Sequence, residues 1–243
     1  MAGLGDARTE ICAVFAHPDD EAFGVSGTIA AYAARDMRSA LICATRGEAG
    51  LSNGLAGSPA ALAALRSEEL ARAGKAMGLA ELILLDFADG GAAGWDRQAL
   101  ADQLDAALHR LAPQIVITFD AGGVTRHPDH IAVHEVTRDL IVGGGLPGVH
   151  RLYYQVVTCP DDPGAEVASL ACIPADTIDV AVDVREFETA KRAALGCHLS
   201  QAADTAQLLS LPMGSLAAEY YVLAWADDGW RPRLGETDLL AGL

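Results

Sequence analysis

The sequence has little positive charge and no long apolar run. Its 243 residues include 17 Lys and Arg against 33 Asp and Glu, a formal net charge of −16 at pH 7. Nucleic-acid binding normally needs a basic surface, so no nucleic-acid partner is expected. No apolar run approaches the roughly 18 residues of a membrane span, and the first residues do not form a basic region followed by an apolar one. The sequence therefore predicts neither a membrane span nor a signal peptide.

Cysteine is sparse, and its spacing matches no common cysteine motif. The chain has no Cys-x-x-Cys pair, and its five cysteines are Cys12, Cys43, Cys159, Cys172 and Cys197. An odd and dispersed set is typical of reduced, mostly buried thiols. We therefore expect five free thiols and a cytoplasmic location.

The sequence does contain a regular alternation of strand-like and helix-like segments. This alternation predicts an α/β fold, with a Rossmann-like, mostly parallel sheet flanked by helices. We expect one domain over residues 1–243, with a core at 1–150 and a smaller, irregular C-terminal portion at 151–243. The predicted strands are residues 11–15, 39–45, 81–86, 114–119, 151–158 and 177–182, with 220–225 as a last strand or helix. The predicted helices are residues 22–35, 59–77, 96–111, 129–142 and 185–198, and a loop or lid is expected at 159–175.

Two turns rich in His and Asp follow the first and fourth predicted strands. The first is His17-Pro18-Asp19-Asp20-Glu21, and the second is His127-Pro128-Asp129-His130, which opens a helix. In a doubly wound sheet the strand order reverses between these two strands, and ligands bind in the crevice beyond their ends. The two turns are therefore predicted to face each other across one site. A dinucleotide is not expected there, because the first turn lacks a Gly-x-Gly-x-x-Gly fingerprint.

The residue types in these turns suit metal-assisted hydrolysis of an amide. A mononuclear catalytic zinc site has three protein ligands and an open position for water, and His17, Asp20 and His130 supply such a set. Asp19 can take a proton from water activated by the metal, and His127 can stabilise an oxyanion, as an imidazolium, or protonate a leaving amine. Another divalent transition metal fits the same ligands.

With these motifs the chain resembles the zinc-dependent N-acetylglucosaminyl deacetylases of the LmbE and PIG-L family. The resemblance covers roughly residues 9–145. It implies a Rossmann-like fold, one Zn²⁺ per chain, and removal of the N-acetyl group from a small acetylated amino-sugar conjugate, such as a mycothiol or bacillithiol precursor. It also implies His17, Asp20 and His130 as metal ligands, Asp19 as general base, and His127 as the residue that stabilises the tetrahedral intermediate.

Other segments extend this resemblance. Thr45-Arg46-Gly47-Glu48 is similar to the family's T-x-G-E segment, which implies that Glu48 binds substrate, and Arg66 resembles a substrate-binding Arg of the family. Arg126 stands near the place where some members have a mobile Tyr, and we expect it to replace that Tyr or to bind substrate. His198-Leu199-Ser200-Gln201 is similar to the family's C-terminal H-x-S-Q segment.

Three further polar residues are assigned supporting or structural roles. Asp129 is expected to orient a ligand histidine by a hydrogen bond. His134 lies one helical turn after His130, and such a pair can bind zinc, but support of a ligand or a core position is the preferred interpretation. His198 is interpreted either as a histidine at a helix C-terminus or as a residue of the active site.

Two alternative functions stay open. One is an amidase on a larger thiol-conjugate or antibiotic-type amide, which would act poorly on free acetyl sugars. The other is a non-catalytic metal- or sugar-binding module, against which the presence of both Asp19 and His127 argues. A two-metal phosphoesterase is disfavoured because it needs more bridging carboxylates. The sequence leaves the exact substrate and a homo-oligomeric state open.

Overall fold

A seven-stranded sheet runs through the part of the chain that the structure, a computed structural model, describes: residues 8–144, 146–159 and 170–243. Its strands in chain order are β1 (Ile11–Phe15), β2 (Ser39–Thr45), β3 (Glu81–Phe87), β4 (Ile115–Phe119), β5 (Arg151–Val156), β6 (Val180–Asp183) and β7 (Ala218–Ala226). Their order across the sheet is β3-β2-β1-β4-β5-β7-β6. Both predicted portions of the chain therefore contribute strands to one sheet.

The sheet is mixed but mostly parallel. Strands β1 to β5 pair in parallel, whereas β7 is antiparallel to both β5 and β6. The order reverses at β1, which lies between β2 and β4, as the alternation predicts. Ile11 is opposite Ile115, so β1 and β4 end at the same level, and the rings of Phe15 and Phe119 are 4.8 Å apart. The turns that follow these two strands consequently begin side by side.

Helices cover this sheet, and β1, β2 and β4 are fully buried, as expected for apolar parallel strands with both faces covered. The helices are α1 (Asp20–Gly24), α2 (Ser26–Ala33), α3 (Pro59–Ala76), α4 (Arg97–Leu111), α5 (Gly123–Arg126), α6 (Pro128–Val142), α7 (Glu188–Cys197) and α8 (Ala202–Ser210). Side-chain oxygens of Ser58 and Asp96 accept backbone N–H groups at the starts of α3 and α4. No helix in the described ranges is both long and apolar enough to cross a bilayer.

The sequence prediction is wrong at the first helix and incomplete near the C-terminus. Residues 22–35 do not form one helix, because α1 begins at Asp20 and Val25, with φ −140°, separates it from α2. Pro18 lies outside the helix, because Asp19, the residue between Pro18 and α1, has a positive φ. Helix α8 was not predicted at all. Of the expected loop at 159–175, residues 160–169 lie outside the described residues.

The prediction of five reduced thiols is also wrong. Cys159 and Cys172 form a disulfide, whereas Cys12, Cys43 and Cys197 are free. The pairing follows from a bridge between Thr158 and Ile173, which places the two cysteines side by side. Their separation of 13 residues carries no recognisable motif. The cytoplasmic location stays a prediction.

Removing this disulfide is expected to lower the free energy of unfolding by about 2–3 kcal/mol, because it closes a short loop in the unfolded chain. The Cys159→Ser/Cys172→Ser double variant would be compared with the wild type by urea unfolding. As a direct check, a thiol-reactive reagent should detect three thiols per chain in the denatured, unreduced wild type. Five reactive thiols in that assay would contradict the pairing.

Candidate active site

The two His-Pro-Asp turns bring the three predicted ligands together at the carboxyl edge of β1 and β4. His17 Nδ1 lies 3.0 Å from His130 Nε2. The Asp20 carboxylate lies 3.6 Å from His17 Nδ1 and 3.3 Å from His130 Nε2. A tetrahedral zinc ion with bonds of about 2.0–2.1 Å separates its ligand atoms by about 3.3 Å. The spacing of the three groups therefore fits a metal ion.

The hydrogen bonds of the two histidines give a second test of that fit. His17 Nε2 lies 3.2 Å from Asp129 Oδ2 and 3.1 Å from Asp89 Oδ1, and His130 Nδ1 lies 2.9 Å from the Gly123 carbonyl. When both rings are neutral, donation to these acceptors leaves a lone pair on His17 Nδ1 and on His130 Nε2, the two atoms that face each other. Histidines that bind metals are typically held in this way. A cation between the two nitrogens would relieve the repulsion of their lone pairs.

The charges around His17 also favour a cation at this place. Burial lowers the pKa of His17, but hydrogen bonds to Asp129 and Asp89 and the charge of Asp20 outweigh it and raise this pKa to about 10. Burial raises the pKa of Asp89, yet the hydrogen bond and charge of His17 bring it down to about 2. The carboxylates thus stabilise a positive charge on His17. His17 also belongs to two other sets of side chains that could bind a metal ion. One set adds His127 and His130, and the other adds Asp89 and Asp129.

Asp19, the predicted base, is held in an unusual backbone conformation beside the ligands. Its φ of 134° and ψ of −29° lie in a region that residues with a side chain rarely adopt. Arg66 Nη2 donates to Asp19 Oδ2 at 3.0 Å, and the backbone N–H of Asp19 donates to Glu21 Oε2 at 2.9 Å. Burial and the charge of Asp20 raise the pKa of Asp19 to about 7, although Arg66 opposes this shift. The contacts with Arg66 and Glu21 hold Asp19 beside Asp20, one of the predicted ligands.

His127 lies beside His17 and His130, at the start of α6. Its ring is 4.7 Å from that of His17, in an edge contact, and it lines the same cavity. His127 Nδ1 accepts the backbone N–H of Asp129 at 3.2 Å, so the neutral ring carries its proton on Nε2. Burial lowers the pKa of His127, and the charges of His17 and His130 lower it further. Without a metal, the neutral donor is favoured over the imidazolium that the sequence suggested.

The three predicted substrate contacts lie in different surroundings. Arg66 is buried and lines the cavity, and it donates to the carbonyls of Pro18 (2.6 Å) and Gly47 (3.0 Å) as well as to Asp19. Glu48 lies beside the cavity, where it accepts the N–H of Asp89. Arg126 is exposed, one residue before His127. Arg66 thus has a visible structural task, and substrate binding by all three residues stays a prediction.

Asp89 is the site residue that the sequence analysis missed. It follows the end of β3 by two residues and contacts His17 directly. An acidic residue at the carboxyl end of a neighbouring parallel strand was the available signal.

By contrast, His134 points away from the three predicted ligands: its Nδ1 lies 2.9 Å from the Phe119 carbonyl, and its ring packs on Tyr154. His134 therefore occupies a core position.

A cavity of about 880 Å³ is lined at one end by the three predicted ligands. From the β1 and β4 turns it extends past the end of β5 to α8 and the start of β7. Many of the side chains that line it are apolar, among them Phe23, Leu51, Val156, Leu208, Leu216 and Tyr220. The cavity is near the upper end of the usual range for small-molecule sites. It holds more than an acetyl group.

Gly47→Ala is expected to lower the turnover number about tenfold or more by displacing Arg66. Gly47 has a φ of +71°, and a Cβ there would lie 2.5 Å from the guanidinium. Gly54→Ala is a matched control, because Gly54 has a φ of +76° but no atom within 4 Å of the added Cβ. Both variants meet backbone strain of about 1 kcal/mol, but only the first moves the arginine that holds Asp19. Equal turnover in the two variants would contradict this role of Arg66.

The fold and this cluster define the class of protein. Two turns at a strand switch point present a set of metal-binding groups, flanked by a carboxylate and an imidazole, to a cavity that admits a small molecule. This arrangement is typical of an α/β enzyme with its site at the carboxyl edge of the sheet.

Comparison with known proteins identifies the family. Residues 12–141 match the model of PIG-L, described as GlcNAc-PI de-N-acetylase. The chain is 33% identical to a 1D-myo-inositol 2-acetamido-2-deoxy-alpha-D-glucopyranoside deacetylase of Mycolicibacterium vanbaalenii, over 95% of this chain and 96% of the relative. The protein belongs to the PIG-L family, and it is an N-deacetylase.

Solved structures share the fold. The conserved protein TT1542 from Thermus thermophilus has a TM-score of 0.65 and 25% identity, covering 90% of this chain and 95% of that one. The N,N'-diacetylchitobiose deacetylase from Pyrococcus horikoshii has a TM-score of 0.67 at 18% identity, covering 90% of this chain and 84% of that one. These similarities confirm the predicted α/β architecture.

Proposed function

We propose that this N-deacetylase removes the N-acetyl group from an N-acetylglucosamine-type conjugate and that it uses Zn²⁺. The observation that carries the proposal is the meeting of His17 Nδ1, His130 Nε2 and the Asp20 carboxylate, within 3.0–3.6 Å of one another, beside Asp19. The similarity to an inositol 2-acetamido-glucopyranoside deacetylase supports the sugar part of the substrate.

In this proposal His17, Asp20 and His130 hold the metal. When bound, the ion supplies Lewis acidity that polarises the acetyl carbonyl and increases the acidity of a water molecule. Asp129 accepts the Nε2–H of His17 and fixes the direction of its ring. Asp89 shares this task at the same nitrogen, His17 Nε2.

Asp19 and His127 carry the proton transfers. Asp19 accepts a proton from the water whose oxygen attacks the acetyl carbon. His127 donates its Nε2–H to the carbonyl oxygen as negative charge develops there. The C–N bond then breaks, and the departing nitrogen takes the proton that Asp19 received from water, or takes one from His127 once that ring is charged to the imidazolium; in the second case Asp19 releases its proton to solvent. The products are acetate and a primary amine on the sugar.

A second candidate is an amidase that acts on a larger amide, such as a thiol conjugate or an antibiotic-type molecule. The volume of about 880 Å³ and the apolar side chains in its lining favour it, because an acetylated monosaccharide alone would leave part of that lining uncovered. The two candidates share the same catalytic groups and differ in which substrate fills the cavity.

The test is primary-amine release by chelator-treated protein, with and without added Zn²⁺. The panel includes free N-acetylglucosamine, its inositol and other conjugates, and larger amides of glucosamine. We expect release that depends on zinc and is fastest with an N-acetylglucosamine conjugate. Faster release from the larger amides would favour the second candidate, and no release by metal-loaded protein would contradict both.

A further inference from the structure

One buried pair beside the site has no part in the proposed chemistry. Glu21 and His198 are fully buried and lie 177 positions apart in the sequence. His198 Nε2 lies 2.6 Å from Glu21 Oε1, and the other oxygen of Glu21 accepts the backbone N–H of Asp19 at 2.9 Å. A chain of two hydrogen bonds therefore links the C-terminal portion to the backbone of the proposed base.

The backbone of Asp19 needs such a constraint. A residue other than glycine keeps a φ of 134° only when its surroundings hold it there. Arg66 holds the Asp19 side chain, whereas the Glu21 carboxylate holds its N–H. If Asp19 relaxed to an ordinary conformation, its carboxylate would turn away from its place next to Asp20. The hydrogen bond from the Asp19 N–H to Glu21 therefore helps to determine the direction of the Asp19 carboxylate.

The segment that contains His198 also supports the other restraint on Asp19. Ser200 donates its N–H (2.8 Å) and its hydroxyl (2.5 Å) to Glu69, a buried residue of α3. Glu69 lies one helical turn after Arg66, the residue that holds the Asp19 carboxylate. Residues 198–201 thus contact both elements that fix Asp19.

We propose that Glu21 and His198 are positioning residues: the buried pair locks the positive-φ backbone of Asp19 and so aims its carboxylate into the site. His198 acts by donating its Nε2–H to Glu21, which leaves the second Glu21 oxygen directed at the Asp19 amide. Neither residue touches substrate. The inference rests on the proposed function, in which Asp19 is the general base.

Three substitutions at His198 separate this role from a merely structural one. A glutamine can place its amide nitrogen close to the position of His Nε2, whereas asparagine is too short and alanine has no donor. We expect His198→Ala and His198→Asn to lower kcat about tenfold or more, with KM and the bound metal per chain unchanged. His198→Gln should restore kcat to within about threefold of the wild type. A merely structural role predicts no such difference between folded Gln and Asn variants.

His150→Ala provides a matched control. It removes a histidine that pairs with Asp227 at 2.7 Å near the opposite end of β5, away from the cavity, and should leave kcat unchanged. Loss of metal from folded His198→Ala, or a kcat within twofold of the wild type, would overturn the inference. If His198→Ala does not fold, the Gln and Asn variants decide: equal kcat in these two overturns the inference as well.

A structural measurement does not depend on activity. Crystal structures of metal-free wild type, His198→Gln and His198→Asn should show Asp19 at positive φ in the first two and relaxed in the third. The Asp19 amide should also exchange hydrogen faster in His198→Asn. An unchanged φ in that variant would overturn the inference, even if the wild type released no amine from any substrate. Absence of amine release in the wild type would contradict only the proposed function.

Discussion

Asp19→Asn is expected to lower turnover by about 10²–10⁴-fold while the protein keeps its metal. The substitution preserves the shape of the side chain and an oxygen that can accept from Arg66, but it removes the group that takes the proton from water. The proposed ligands His17, Asp20 and His130 are unchanged in this variant. The measurement is kcat for the best substrate, together with metal content after dialysis.

Two controls define this result. Asp86→Asn makes the same chemical change at a side chain that is 85% exposed and should leave kcat unchanged. Asp20→Asn, one residue from Asp19, should lose metal as well as activity. Full turnover in Asp19→Asn would contradict its role as general base, and loss of metal from that variant would place Asp19 among the ligands.

His130→Gln is expected to weaken metal binding by more than about 100-fold and to abolish turnover at equimolar zinc. Loss of a residue that hydrogen-bonds to a metal ligand typically lowers metal affinity about 10–100-fold, and loss of one of three ligands should lower it more. The measurement is competition for zinc against a chromophoric chelator, followed by amine release at each zinc concentration.

His134→Gln is the matched control for this variant, because it makes the same change one turn later on the same helix. The His134 ring is hydrogen-bonded to the Phe119 carbonyl, so its loss should lower stability and leave zinc affinity unchanged. Equal loss of zinc in both variants would mean that α6 as a whole, and not the His130 ring, determines metal binding.

The parts of the site that follow from one strand and its turn could be predicted from the sequence. The runs at 11–15 and 114–119 are apolar and β-favouring, and parallel strands at a switch point place their following turns together. That is why His17, Asp20 and His130 meet as expected. Asp89 follows the same rule from β3, but it lies in a glycine-rich link whose composition concealed it.

Contacts between distant segments could not be predicted. Nothing near Glu21 indicates that its partner is His198, since that pairing depends on how α7 packs against α1 and α3. The disulfide likewise depends on the bridge between Thr158 and Ile173 rather than on cysteine spacing. The contacts of Arg66 with the carbonyls of Pro18 and Gly47 had no signal in the sequence either, and its binding of substrate stays a prediction.

The most direct test of the metal centre is a crystal structure of the zinc-loaded protein with anomalous data collected at the zinc edge. The account predicts one peak per chain, within about 2.0–2.2 Å of His17 Nδ1, His130 Nε2 and an Asp20 oxygen. A peak on the other face of His17, between its Nε2 and the carboxylates of Asp89 and Asp129, would contradict it. So would a peak at which His127 replaces Asp20 as the third ligand.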